Sequence, residues 1–404
     1  MLDLSAFWIP LAYSLWLARI GIIFILAVSH KLESKKKNKY AQHPQHPRSS
    51  QPFVSIIIPA FNEQDRIQSA ISSCLKSSYR NFEIIVVDDG SSDNTATQIL
   101  TLDGIHLLSR FRLLQHSHNK GKAHALNSGL DAARGSIVVT LDADTRFEKP
   151  ETLEQLIAPL LYDQKLSAVT GCLRVSQPST TWGLLQDMEY TNVLQMIKRA
   201  QCKLNAIMIL PGAMSAFRLT DLRDSGNFSP QTLAEDADIT MQLLVNGKKS
   251  RFVADVIALT EAPNTLKSLF RQRIRWRVGQ LQCLNKHKSL LRSGQRAKLI
   301  YLDIILTNIF SLISPVLLFA LTFFTFHWGH QSIQTAIISL LGIIGVGWAT
   351  TAVCYWLSNR NCPAPASILG YIIFFSVFNP VISLIAMIYF TRSKKPQWRK
   401  MNVT

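Results

Sequence analysis

Apolar residues are arranged along this chain in two textures. In the first they run almost without interruption: residues 7–28, 300–326, 333–357 and 367–390 each form a stretch long enough to cross about 30 Å of hydrocarbon as a helix. In the second, between residues 53 and 263, short β-branched runs alternate with helical stripes. Phe53-Val54-Ser55-Ile56-Ile57-Ile58-Pro59 and Glu83-Ile84-Ile85-Val86-Val87 have the composition of strands buried on both faces. Residues 63–77 place Ile67, Ala70, Ile71, Cys74 and Leu75 at helical spacing. Further strands are expected at 112–116, 136–141, 168–173 and 251–254, with a helix over 123–133. Strands that alternate with helices predict a parallel α/β sheet of the nucleotide-binding type.

Charge changes the reading of the apolar runs. The 404 residues include 43 Lys+Arg against 26 Asp+Glu, a formal charge of +17. In a soluble chain that excess would suggest a nucleic acid. Here it gathers beside the apolar runs, where anionic lipid and the positive-inside rule account for it. No base-stacking aromatic platform accompanies it, so no nucleic-acid partner is expected. Asp3 precedes the first run, and Lys31, Lys35, Lys36, Lys37 and Lys39 follow it. That order predicts an uncleaved anchor with its N-terminus outside and residue 31 onward in the cytoplasm. Arg19, inside the run, is expected to snorkel or to face another span. Three later spans starting from a cytoplasmic residue 299 would leave the C-terminus outside. Arg392, Lys394, Lys395, Arg399 and Lys400 argue for inside, and a re-entrant last segment, interrupted at Asn379-Pro380, would reconcile the two. The organisation expected is an anchor over 1–30, a basic linker over 31–52, a cytoplasmic domain over 53–263, an amphipathic interfacial region over 264–298, and about three spans over 299–404 of a multi-pass cell-membrane protein. Six scattered cysteines without a Cys-x-x-Cys pair fit a reducing compartment and no structural metal.

Candidate chemistry sits at the strand ends. Neither a Gly-x-Gly-x-x-Gly fingerprint nor a P-loop follows the first strand, so dehydrogenase and kinase chemistry have no motif behind them. Acid follows instead: Asp88-Asp89-Gly90 closes the second strand and Asp142-Ala143-Asp144 a later one. In an open parallel sheet ligands bind outside the C-terminal strand ends, so both clusters should face one crevice. Two carboxylates one residue apart at that mouth suit a hard divalent cation that bridges phosphates. Downstream, Leu266, Phe270, Ile274, Leu281 and Leu284 form an apolar stripe among Lys267, Arg271, Arg273 and Arg277, the pattern of a helix lying on membrane lipids.

These residues resemble a known family. Residues 54–63 (VSIIIPAFNE), Val86-Val87-Asp88-Asp89-Gly90-Ser91-Ser92-Asp93, His118-Asn119-Lys120-Gly121-Lys122-Ala123 and Leu141-Asp142-Ala143-Asp144 look like the donor half of family 2 glycosyltransferases. Leu233-Ala234-Glu235-Asp236-Ala237-Asp238 and Gln272-Arg273-Ile274-Arg275-Trp276 resemble the Thr-Glu-Asp and Gln-x-x-Arg-Trp signatures of the processive, membrane-bound branch. That branch includes cellulose, chitin, hyaluronan and poly-N-acetylglucosamine synthases, and the run from Gly171 to Arg199 is most similar to the poly-β-1,6-N-acetylglucosamine synthases. Ala234 departs from the pattern, standing where the branch often has threonine.

The resemblance covers about residues 53–285 and implies an α/β glycosyltransferase A-type domain flanked by transmembrane helices. It implies an inverting transfer of a sugar, N-acetylglucosamine foremost, from a UDP-sugar to a growing β-linked polysaccharide. A transferase adding one or a few sugars to a lipid-linked acceptor would share the same donor half. Asp144 with Asp142 would hold Mg²⁺ or Mn²⁺, and Arg275 with Gln272 and Trp276 would clamp the diphosphate. Asp236 would be the general base, its proton affinity raised by burial or by Glu235 and Asp238. Pro59, Ala60 and Glu63 would contact base and ribose, Asp89 would read the base, and Lys120 and Lys122 would meet the phosphates. Gly212, in Pro211-Gly212-Ala213, would let an acceptor ring approach the backbone. Whether export draws on a second copy or an accessory subunit is left open by the resemblance.

Overall fold

The computed structural model describes residues 4–41, 51–102, 109–327 and 330–392. Its elements in chain order begin with α1 (Leu4–Ala41), β1 (Val54–Ala60), α2 (Ile67–Leu75), β2 (Phe82–Asp88), α3 (Thr95–Leu100), β3 (Phe111–Gln115), α4 (Lys122–Ala132) and β4 (Ile137–Leu141). There follow β5 (Thr145–Phe147), α5 (Thr152–Tyr162), β6 (Leu166–Val175), α6 (Thr181–Asn192), a π-helical segment Val193–Lys198, α7 (Arg199–Lys203), β7 (Met214–Arg218), α8 (Leu219–Asp224), α9 (Glu235–Val245) and β8 (Lys249–Thr260). The chain then continues through α10 (Leu266–Lys286), α11 (Gln295–His327), α12 (His330–Leu357) and α13 (Pro365–Arg392).

Eight strands make one sheet in the order β3-β2-β1-β4-β7-β6-β8-β5. The β-branched runs are its centre: every residue of β2 and all but Pro59 of β1 are buried, as strands covered on both faces must be. The helix α4 packs on β1 and β2, and α5 on β6 and β8. The half β3-β2-β1-β4 is parallel, as the pattern predicts. The other half is not: β7 runs antiparallel to both β4 and β6, and β5 antiparallel to β8. Burial on two faces marks a strand but carries no direction, so the reversal was not expected. It has a positional consequence. The C-terminal ends of β1, β2 and β4 and the N-terminal end of β7 meet at one edge, with Leu141 paired to Met214 and Asp142 N–H donating to Ala213 O at 3.3 Å.

Three described helices are long and apolar enough to cross a membrane, within Ser14–Ser34, Leu340–Leu357 and Pro365–Arg392. The expected span over 300–326 lies in the helix α11, of which the side chains from 314 onward are outside the described residues. The helix α1 continues to Ala41, eleven residues past the expected anchor, because Lys and Glu end an apolar run without ending a helix. Arg19 faces another helix: its Nε and Nη2 meet both carboxylate oxygens of Asp303 at 2.5 and 2.9 Å, with Thr307 Oγ1 at 3.0 Å. Trp16 stacks on Phe310 further along, so α1 and α11 run antiparallel. At the end of α1, Lys31 Nζ donates to Trp356 O (2.6 Å) and Asn359 Oδ1 (3.0 Å), which brings it to the end of α12. Arg199 Nη2 donates to Leu357 O at 3.1 Å, so this junction lies against the α/β domain. The helix α13 is continuous through Pro380, correcting the expected interruption. One lost i→i−4 bond is tolerated because the helix is packed along α10 and α11. The tail from residue 393, with its basic cluster, lies outside the described residues, as do residues 42–50 of the expected linker.

Candidate active site

The strand-end acids are gathered where the topology predicts. Asp142 and Asp144 follow β4, and β8 ends beside them: Thr260 Oγ1 donates to Asp144 Oδ1 (3.4 Å) and Glu261 N–H to Asp144 O (3.2 Å). Asp144, with Gln272 and Arg275 from α10, lines a cavity of about 350 Å³. Three further residues there, Arg66, Arg271 and Glu261, were not anticipated from the sequence. Gln272 Oε1 is buried there without a hydrogen-bond partner. Three guanidinium-bearing residues around one cavity suit a polyanion, and a buried amide oxygen without a partner suits a ligand that brings a donor.

Burial, then the neighbouring Asp142, pushes the Asp144 carboxyl above the usual carboxylate range. Two carboxylates crowded in one poorly solvated place, joined by hydroxyls of Thr145 (3.0 Å) and Thr260 (3.4 Å), form a hard-oxygen donor set that fits a divalent cation. Among the described residues no three His, Cys, Asp or Glu side chains are placed to hold a metal alone. Diphosphate oxygens and water would have to complete the coordination, as is usual for Mg²⁺.

Lys122 holds the centre. Its Nζ lies 2.5 Å from Asp142 Oδ1 and 3.3 Å from Glu235 Oε1, tying the strand-end acids to the acid pair of α9. Despite burial, the carboxylates of Asp142 and Glu235 hold the Lys122 ammonium well above its ordinary value. Glu235 is itself pushed up, first by burial, with Lys122 opposing. Gly212 borders the same place: a Cβ there would sit 3.2 Å from Lys122 Nζ and 3.6 Å from Asp236 Cβ. The reversed strand β7 thus puts the Pro211-Gly212-Ala213 backbone against the acids. Asp236 Oδ2 accepts Gly212 N–H at 3.1 Å and Oδ1 accepts Ala237 N–H at 2.8 Å.

Asp238 is engaged elsewhere. Its carboxylate turns the other way, accepting from His287 Nε2 (2.7 Å), Lys286 Nζ (2.9 Å) and Thr232 Oγ1 (3.1 Å), and those bonds hold it below the usual carboxylate range against burial. It pins the first turn of α9 to the end of α10. Gln282 Oε1 accepts Leu233 N–H (2.8 Å) in the same seam. A Cβ on Gly279 would fall 2.7 Å from Ala234 Cβ, so Ala234 and Gly279 are a small-on-small contact that lets the two helices close. The alanine in place of threonine is thereby explained: a larger side chain would press on α10.

The donor-side residues are distributed less uniformly. Glu63 (22 % exposed) sits near Asp144, paired with Arg66 at 3.0 Å. Burial, then Asp144, push its carboxyl up to about 7, with Arg66 opposing. An acid raised in this way takes up a proton on folding, so it favours the folded state least above about 7 and more as pH falls toward 4.5. Glu63→Gln should therefore flatten the decline of the unfolding temperature between those two values, a result that thermal scans at stepped pH will read directly. Pro59 and Ala60 end β1, and Ala60 pairs with Asp88 of β2. Asp89 is engaged by the loop that follows β3, accepting Lys120 N–H (3.0 Å), Gly121 N–H (2.7 Å) and the His116 ring (2.6 Å), which in turn reaches Ser128 Oγ (2.9 Å). Lys120 contributes its backbone there and its side chain is exposed. Trp276 stacks on Tyr190 at 6.4 Å between ring centroids and lies under the Arg273 guanidinium, with Arg273 paired to Glu189.

A parallel half-sheet with an acidic edge, a reversed strand bringing in a glycine, and a cationic cavity wall are the features of the glycosyltransferase A-type fold. Residues 55–226 match the model of Glycosyl transferase family 2. The poly-β-1,6-N-acetyl-D-glucosamine synthases of Staphylococcus epidermidis RP62A and Staphylococcus aureus MW2 are each 32 % identical to it over 239 residues, 59 % of this chain and 56 % of theirs. The chain thus matches little more than half the length of these relatives. Among solved structures, the mannosyltransferase from Pyrobaculum calidifontis, determined with GDP-mannose and Mn²⁺, superposes with a TM-score of 0.62 over 93 % of this chain and 99 % of its own at 21 % identity, a likeness of fold.

Proposed function

We propose that this chain is a membrane-bound, inverting glycosyltransferase that moves N-acetylglucosamine from a UDP-sugar to the end of a growing β-linked polysaccharide. The observation that carries the reading is the bridge of Lys122 between Asp142 and Glu235, which holds the strand-end acids and the acid pair together beside the arginine-walled cavity. The relatives' printed activity supplies the sugar and the polymer.

In this reading Arg66, Arg271 and Arg275 neutralise the diphosphate, with Gln272 orienting it. Asp144, helped by Asp142, would hold Mg²⁺ or Mn²⁺, which would supply Lewis-acid stabilisation of the leaving diphosphate. Pro59, Ala60 and Glu63 border the nucleoside end. Asp236 takes the proton of the acceptor hydroxyl as its oxygen bonds to C1 of the sugar and the bond from C1 to the diphosphate oxygen breaks. Attack from the face opposite the leaving group inverts the anomeric centre. The domain stands on the cytoplasmic side.

Membranes containing the full chain, supplied in turn with radiolabelled UDP-N-acetylglucosamine, UDP-glucose and UDP-glucuronate, test this. A long polymer formed from UDP-N-acetylglucosamine alone is expected. A product of one or a few sugars on lipid would sink the polymer half of the reading, and no transfer from any of the three would sink the donor class.

A further inference from the structure

The turn that leads into Lys122 is not held by its own side chains. The helix α4 begins at Lys122 without a capping side chain, because its N-cap is Gly121, at φ +100°. That backbone suits glycine and strains other residues. The turn is fixed from the end of β2 instead. Asp89 Oδ1 accepts Lys120 N–H at 3.0 Å, and Oδ2 accepts Gly121 N–H at 2.7 Å. The same turn lies flat on Gly90, where a Cβ would come within 2.6 Å of the His118 carbonyl carbon and 2.9 Å of Asn119 N. Asp89 thus does from another strand what an N-cap side chain does within a helix, and its carboxylate stands by the positive end of the helix dipole.

Asp89 is held in turn by His116. The ring Nδ1 lies 2.6 Å from Asp89 Oδ1 and Nε2 lies 2.9 Å from Ser128 Oγ, with the His116 and Asp89 side chains 9 % and 4 % exposed. A carboxylate only accepts, so Nδ1 carries the hydrogen, and Nε2 of the neutral ring accepts from the serine hydroxyl. Ser128 belongs to α4, as Lys122 does. The contacts therefore close a ring, from α4 through Ser128, His116 and Asp89 to Gly121, and back into α4 at Lys122. The body of α4 is held separately by Asn127, whose amide donates to Phe228 O (2.8 Å) and accepts Phe228 N–H (3.0 Å). What the ring governs is the first turn, and with it the placing of Lys122 Nζ at 2.5 Å from Asp142 and 3.3 Å from Glu235.

We propose that His116 is a positioning residue for Lys122. Braced by Ser128, it orients Asp89, and Asp89 fixes the turn that delivers the ammonium between the two acids. The inference rests on the reading of the Lys122 bridge as the centre of the transferase site. It gives Asp89, both of whose oxygens are engaged by the turn, a task other than contact with the nucleoside base.

Kinetics of the full chain in membranes test this. His116→Phe keeps a ring and removes both hydrogen bonds. The kcat should fall about 10- to 100-fold, the scale of one charge-assisted hydrogen bond. The KM for UDP-sugar, and the preference for UDP over CDP as inhibitor, should each stay within twofold. His116→Asn, whose amide nitrogen can stand where Nδ1 stood, should recover most of the lost rate, which a mere filler of space would not do. In the Lys122→Met background, His116→Phe should change the residual rate less than twofold. A raised KM and a lost preference for UDP over CDP, at unchanged kcat, would overturn the proposal and make Asp89 the reader of the base. A loss that His116→Asn does not recover, or one that adds in full to that of Lys122→Met, overturns it too. If Lys122→Met itself transfers sugar at the parent rate, the reading of the bridge fails. If that variant is impaired while His116→Phe is normal, the positioning role alone fails.

Discussion

Asp236→Asn is expected to lower kcat by about 10²- to 10⁴-fold, the range for loss of a positioned general base, while UDP-sugar still binds. The side chain is held by two backbone N–H groups, from Gly212 and Ala237, and asparagine keeps its outline with one oxygen for one of them. The helix that carries it is pinned independently, by Asp238 to His287 and Lys286 and by the contact of Ala234 with Gly279. A fold change is therefore not expected to accompany the loss. Initial rates with radiolabelled donor, paired with calorimetric titration of the solubilised full chain with UDP, separate chemistry from binding. More than a tenth of the parent rate remaining would remove Asp236 from the role of base.

Lys122→Met should be the most damaging single change in both stability and activity. Without the ammonium, Asp142 and Glu235 lose their shared counter-charge, with Asp144 already raised by burial and by Asp142. Removing one partner of a fully buried ion pair costs about 3–5 kcal/mol; the Lys122 and Asp142 side chains are 22 % and 27 % exposed, so solvent reduces that cost, and part of the rest is relieved if a carboxyl takes up a proton. Glu235 and Asp144, both already raised with Lys122 opposing, then have folded values further above their unfolded ones, so the folded state gains protons relative to the unfolded chain. Stability of the variant should fall as pH rises from about 4.5 upward and recover on acidification. Unfolding temperatures at pH 5 and pH 8 measure this: the deficit relative to the parent should be larger at pH 8. An equal deficit at both would mean that Lys122 acts by packing and not by charge.

How much of this was legible beforehand differs by element. The strands β1, β2 and β4 could be read because each is a β-branched run buried on both faces, and the acids after them because a strand end is marked by the change of texture. The strand β7 could not: Met214–Arg218 is mixed in polarity and follows a glycine, and its reversed direction depends on where α6 and α7 carry the chain. Arg66, Arg271 and Glu261 reach the cavity from three separate elements, and no local spacing connects them. Asp238 was read with its neighbours as a cluster, but one turn of helix points its carboxylate at His287, 49 residues away.

The bidentate pair of Arg19 and Asp303 joins residues 284 apart, and this separation sets a schedule for biosynthesis. At about 5–20 residues per second, the first helix waits about 15–60 s for the carboxylate that meets its arginine. Until then the guanidinium has only the bilayer surface and the Trp16 ring, over which it lies at 4.5 Å. A ribosome stalled, or a chain truncated, before residue 303 leaves a charged helix in the membrane with no counterpart.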